Sequence, residues 1–253
     1  MSRLLSIAKF EYKMQIKRIA GWIVLLFVLV SSMMDCLPTA SNMARIEFLG
    51  DIHYYVRRVF SFDGLILLFG ILFLTAGRLI EDRKSHRRDF FMAAPIRKAS
   101  YIGGKLLGNL LFGATLMYSL LIISLCGFAF FSSPGTSLEV YISAVIDVSL
   151  CVILPATFFV VASSVMLPEI MDIRLVYLLY SVLFLVNAFS TDAAEARPFY
   201  IFTQGDMAKL IWQHPKYTEI YAGSACLNLL FMLGIGVLAI VLVTAKQRFW
   251  RAE

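Results

Sequence analysis

The chain has 253 residues, of which 60% are hydrophobic and only 16% charged, with a formal net charge of +6 and a mean hydropathy of +0.79. A soluble domain is about half apolar and a quarter charged and scatters its charges, whereas here they cluster between long uncharged runs, which excludes an ordinary soluble globule and predicts an all-α integral membrane protein. The positive charge needs no nucleic acid to explain it, because basic residues beside spans meet anionic lipid headgroups.

In chain order, residues 2–18 come first. Leu5, Ala8, Tyr12, Ile16 and Ile19 recur at three- and four-residue steps, opposite Ser2, Ser6, Lys9, Lys13 and Lys17. This pattern predicts an amphipathic elbow helix lying in the membrane interface; a plain basic stop ahead of a span is the simpler alternative. The polar lead before the first apolar run does not fit a cleavable signal peptide, so the first span is expected to stay.

A helix needs roughly 20 apolar residues to cross the hydrocarbon layer. On that measure the chain reads as a single transmembrane domain with six spans, at about 19–37, 60–80, 106–131, 140–167, 175–190 and 220–245. The second is short of apolar residues, so it is extended outward through Phe60, and Arg78 is expected to snorkel to the interface. Residues 38–59 and 191–219 are too polar to span and read as caps on one side, the second with short helices expected near 198–201 and 207–212. A turn is expected at Ser132-Ser133-Pro134-Gly135. Seventeen of the 23 Lys and Arg residues fall on the opposite side, with both termini and the loop between spans two and three, which makes that side cytoplasmic. Localisation in the cell membrane, multi-pass, follows as the expectation.

Little in the chain suggests catalysis. His53, His86 and His214 lie in three separate polar loops, and no zinc motif is present. Gly103-Gly104-Lys105-Leu106 lacks the upstream glycine and the Ser or Thr of a phosphate-binding loop. No catalytic residue, metal or cofactor is therefore expected on this chain. Cys36, Cys126, Cys151 and Cys226 show no Cys-x-x-Cys pairing and read as small buried hydrophobes.

Four span residues are candidates for a path or hinge. Asp147 is the carboxylate closest to a membrane interior and reads either as a functional intramembrane acid or as an interfacial one. Pro155 lacks a helical donor and is expected to kink the fourth span, as a hinge or as packing. Asn187 and Asn228 could line a path or bond across helices.

The most informative segment is the basic loop from Arg78 to Lys105. Its charges end in an apolar patch, Phe90-Phe91-Met92 beside Pro95, which is costly to leave in water and suits a groove on a cytosolic partner. A solvated loop against lipid is the alternative. The loop supplies Glu81 and Arg83, then Ala93-Ala94-Pro95-Ile96-Arg97, then Tyr101-Ile102-Gly103-Gly104-Lys105. In these residues it resembles the membrane subunits of type-2 ABC exporters, whose coupling helix between spans two and three carries mixed charges. There a small-small-Pro-hydrophobic-Arg turn and a Tyr-x-x-Gly-Lys entry into span three follow.

The resemblance covers about 30 residues closely and the rest of the chain only in architecture. It implies a permease subunit that pairs with a second copy, homologous or identical, around a substrate path lined by spans two and five. A separate ABC ATPase subunit, which holds the ATP and magnesium, would dock on residues 81–100. By this carry-over the docking surface comprises Arg83, Arg87, Arg88, Asp89, Phe90, Phe91, Met92 and Pro95. The cargo suggested by apolar, aromatic-rich spans is a hydrophobic peptide or lipid-like molecule. The short loop 168–174 departs from the family pattern and is expected to offer the ATPase little. A non-transporting scaffold or immunity protein, or a membrane enzyme acting on lipid headgroups, are the readings from other classes.

Overall fold

The computed structural model describes residues 3–46, 49–87, 96–131, 137–189 and 222–245. Among them the fold is helical throughout, with no strand: α1 (Arg3–Ile16), α2 (Ile19–Asp35), α3 (Ala40–Arg45), α4 (Ile52–Thr75), α5 (Arg78–Lys84), α6 (Lys98–Phe131), α7 (Leu138–Val148), α8 (Leu154–Met166), α9 (Ile173–Phe189) and α10 (Ala222–Ala245). Helices suit a bilayer because they satisfy their own backbone hydrogen bonds where no water can.

Four helical stretches are long and apolar enough to cross a membrane: Ile52–Lys84, Lys98–Phe131, Leu138–Glu169 and Cys226–Ala245. The pair α1 and α2, bent by 60°, makes a fifth if counted as one span, and Ile173–Phe189 is apolar but shorter. The expected second and third spans are therefore longer than hydropathy indicated. α4 starts at Ile52, inside the expected cap 38–59, because Asp51 caps it: its carboxylate accepts from the backbone N–H groups of His53 and Tyr54 at 2.7 and 3.1 Å. α6 starts at Lys98, so the last residues of the expected coupling segment belong to a membrane helix. The turn at 132–135 and the helices expected near 198–201 and 207–212 lie outside the described residues.

α4, α6 and α8 pack on one another at the centre, with α2 and α9 against α4 and α10 against α8. α8 is buried on nearly every side. The outer helices turn apolar residues outward, Ile23, Leu26, Phe27 and Val30 on α2 and Leu178, Leu179, Val182 and Leu185 on α9. Exposed side chains of this kind are unfavourable in water and neutral against lipid tails.

Pro155 does not break its span. A π turn, Ser149–Ile153, precedes it and shifts the hydrogen-bond register where the proline nitrogen cannot donate. The helix then continues to Glu169. Hydroxyl pairs tie the core: Thr75 Oγ1 lies 2.7 Å from Ser164 Oγ, and Tyr180 Oη donates to Ser163 Oγ. Of the four cysteines only Cys36 is buried. Cys126 and Cys226 are exposed and all four are free thiols, which corrects the expectation that all sit in the core; their helices face outward where they lie.

α1 does not rest on its apolar stripe alone. Its buried residues are Ile7, Ala8, Glu11 and Gln15, facing α6, while Leu5 is exposed. The close approach is made by Gly104 and Gly108, a small-x-x-x-small pair on one face of α6. A Cβ on Gly108 would stand 2.7 Å from the Ala8 carbonyl oxygen and 2.6 Å from Glu11 Cβ, and one on Gly104 would stand 2.7 Å from Ile7 Cβ. Gly108→Val is therefore expected to cost about 1–3 kcal/mol by overpacking. Gly234→Ala, with nothing within 4 Å of its Cβ, is expected to be neutral or stabilising by up to about 1 kcal/mol. Thermal unfolding of the two variants in detergent checks the contrast.

Candidate functional site

Where α4 ends, Gly77 adopts a left-handed conformation (φ 73°) and re-aims the chain into α5. A side chain there would be strained and would meet Ile173 Cδ1 at 2.8 Å. The turn carries Arg78 inward. Its side chain is 1% exposed, so the expected snorkelling to the interface is not what the structure shows. Arg78 Nε donates to Glu11 Oε1 at 2.9 Å, and Nη1 donates to Glu81.

A second cation, Lys105, comes from α6, and the second carboxylate, Asp82, from α5 itself. Lys105 Nζ lies 2.6 Å from both Glu11 Oε2 and Asp82 Oδ2, and Tyr101 Oη donates to Asp82 Oδ2 at 2.8 Å. Asn109 Nδ2 donates to Glu11 Oε1 at 3.3 Å, and Gln15 Nε2 donates to Asn109 Oδ1 at 2.7 Å. The result is a buried network of two cations and two carboxylates joining α1, α5 and α6. Desolvating four charges is costly, and mutual pairing with extra hydrogen bonds is what offsets it.

Burial pushes the Glu11 carboxyl up, but Lys105 and Arg78 outweigh it and hold the group below the ordinary carboxylate range. A carboxyl whose folded value lies below its unfolded one, about 4.3 for Glu, stabilises the fold above that range. The contribution is lost as pH falls through the lower folded value. Glu11→Gln is accordingly expected to unfold at a lower temperature than the wild type at neutral pH. The difference should shrink on acidification from about pH 5 to pH 3; a gap independent of pH would contradict the paired carboxylate.

α5 has a third tie. Arg83 Nη1 lies 3.3 Å from Glu169 Oε2, a buried carboxylate in the 3₁₀ turn Leu167–Glu169 that ends the span containing α8. The short segment expected to contribute little thus holds the first residue of the expected docking surface. Arg87 is exposed and borders a cavity of about 390 Å³ with Arg3, Phe10, Asp82, Ile96 and Lys105. Arg88, Asp89, Phe90, Phe91, Met92 and Pro95 lie outside the described residues.

No protein-family model matches the chain, and no curated protein matches it.

The expected path residues fall on three helical stretches, Asp147 and Pro155 together on Leu138–Glu169, Asn187 on α9 and Asn228 on α10. Asp147 is half-buried on α7 and accepts from Ser143 Oγ at 3.3 Å, four residues before it. Pro155 is buried at the start of α8. Asn228 is buried on α10. Asn187, on α9, is 2% exposed, donates to the Leu183 carbonyl at 2.8 Å and borders a cavity with Arg57 and Arg58.

Sequence reasoning missed Glu11, Asp82, Lys105 and Asn109 as a set. A signal was present. Tyr101, Lys105 and Asn109 are spaced four apart, as are Glu11 and Gln15, and Arg78 and Asp82. That spacing places each group on one helix face. Nothing local indicated which faces meet.

Proposed function

We propose that the chain is the transmembrane subunit of an ATP-driven exporter of the type-2 ABC kind. In this reading it has six spans, α1 is the elbow helix, both termini face the cytosol, and two copies enclose the substrate path. The observation that carries the reading is the position of α5. It is the last described helix before the apolar loop patch, and it is bound by Arg78 and Asp82 to α1 and α6 and by Arg83 to the end of the span containing α8.

A subunit docked on residues 83–95 would push on α5. Because two of the ties that hold α5, Arg78 to Glu11 and Asp82 to Lys105, are buried charge pairs rather than exposed ones, which contribute little, displacement of α5 is passed to α1 and α6. The half-exposed Arg83–Glu169 pair is a link to the span containing α8. ATP binding and hydrolysis belong to the docked subunit. The cargo class that suits the apolar, aromatic helices is a hydrophobic peptide or a lipid-like molecule.

Co-expression with a Walker-motif ATPase subunit from the same genome tests the reading. The two are expected to leave the membrane as one complex in detergent. A chain that purifies alone whether or not the ATPase is present contradicts it.

A further inference from the structure

Two arginines converge on one thioether. Met14, half-buried on α1 between the exposed Lys13 and Lys17, receives Arg78 Nη2 at its sulfur at 3.4 Å and Arg87 Nη1 at 3.9 Å. Among the described residues no other methionine sulfur receives a hydrogen bond. We propose that Met14 is a reversible oxidation site for a peroxide, and that its sulfoxide oxygen is held by both guanidinium groups, drawing Arg87 onto α1.

Three observations carry this. First, the acceptor is mismatched to its donors. Arg78 is buried, and its other two nitrogens bond carboxylates, Nε to Glu11 and Nη1 to Glu81. The third has only a thioether, one of the weakest acceptors a side chain offers. Oxidation turns that apolar side chain into a polar one, and hydrogen bonds from charged donors are the stronger class.

Second, the gap at Arg87 leaves room for the added atom. At 3.9 Å its nitrogen stands beyond the roughly 2.7–3.2 Å of an N–H···O bond, so an oxygen on that side of the sulfur comes within reach while the helices stay in place. Third, the site is open. Arg87 is exposed beside it, whereas Met117, Met166 and Met232 are sealed in the core.

The step balances with the peroxide as oxidant. A sulfur lone pair attacks one peroxide oxygen, the O–O bond breaks, and the departing hydroxide takes the proton of the transferred hydroxyl and leaves as water. Sulfur is oxidised by two electrons and the peroxide reduced by two, and methionine sulfoxide reductases restore the thioether. A thioether that merely packs against arginine stems would be destabilised by becoming polar; one with two donors waiting would be stabilised.

Arg87 belongs to the expected docking surface, so any effect on a docked ATPase rests on the exporter reading. The oxidation itself does not. It is measured on the full chain alone in detergent, treated with hydrogen peroxide, with oxidation located by peptide mass spectrometry and thermal unfolding recorded before and after.

Met14→Leu, of similar volume, should unfold like the wild type before treatment and accounts for oxidation at all other methionines. After treatment the wild type is expected to carry sulfoxide at Met14 and to unfold about 2–4 °C above Met14→Leu, and the reductases should close that gap. Adding Arg87→Ala to both proteins should at least halve it. No gap, a reversed gap, or one that Arg87→Ala leaves unchanged overturns the proposal. So does a Met14 still reduced when the exposed Met43 and Met171 have converted. With the ATPase present, the oxidised wild type should retain it roughly two- to fivefold less than oxidised Met14→Leu, and equal retention overturns the drawing of Arg87 onto α1. If the ATPase binds neither protein, the exporter reading fails and the unfolding gap still decides the oxidation site.

Discussion

Lys105→Met is expected to destabilise the protein by roughly 3–5 kcal/mol, the cost of leaving buried charges without their partner. Methionine replaces most of the lysine stem, so little packing is lost; what disappears is the ammonium between Glu11 Oε2 and Asp82 Oδ2. Arg78 still faces Glu11 and Tyr101 still faces Asp82, so the carboxylates keep some compensation. Combining Lys105→Met with Glu11→Gln removes one charge of each sign and should cost less than the two single changes added together, because residues sharing a network couple. Denaturant or thermal unfolding of the four proteins in one detergent measures this. A loss below about 1 kcal/mol for Lys105→Met would show that the pairs behave as exposed ones do.

How far this was visible beforehand differs by element. The runs that became α2, α9 and α10 could be placed within a few residues, because an uncharged stretch of span length has few other uses. The starts of α4 and α6 could not. Hydropathy stops at the first charges, but helices continue through polar residues when a cap such as Asp51 or a packed partner such as α1 supports them. Pro155 was legible as an irregularity, yet its form, a π turn ahead of the proline, depends on how the neighbouring turns share carbonyls.

The site was legible as two separate halves. The loop stood out by its charge and apolar patch, while Arg78 was misplaced because its partner Glu11 is 67 residues away. A windowed reading assigns a lone arginine beside a span to the interface. Only tertiary contact shows that Glu11, the one acid in a basic helix, comes to meet it.

Phe90→Asp with Phe91→Asp is expected to have the larger functional effect. Two apolar side chains that enter a groove each contribute about 1.5–3 kcal/mol when buried, and a carboxylate in their place would be buried without a partner. Binding of the partner should fall by at least about a hundredfold. The variant chain itself should remain folded, since the buried network lies on other residues.

The most direct measurement is therefore co-purification of the Walker-motif ATPase with the tagged wild-type chain, with the Phe90→Asp/Phe91→Asp chain, and with the Arg57→Gln/Arg58→Gln chain, each brought to equal amounts in the same detergent. The ATPase is expected to be retained by the wild type and by the Arg57 and Arg58 variant, and lost from the Phe90 and Phe91 variant. Equal retention by all three, or by none, would contradict docking at the Arg78 to Lys105 loop.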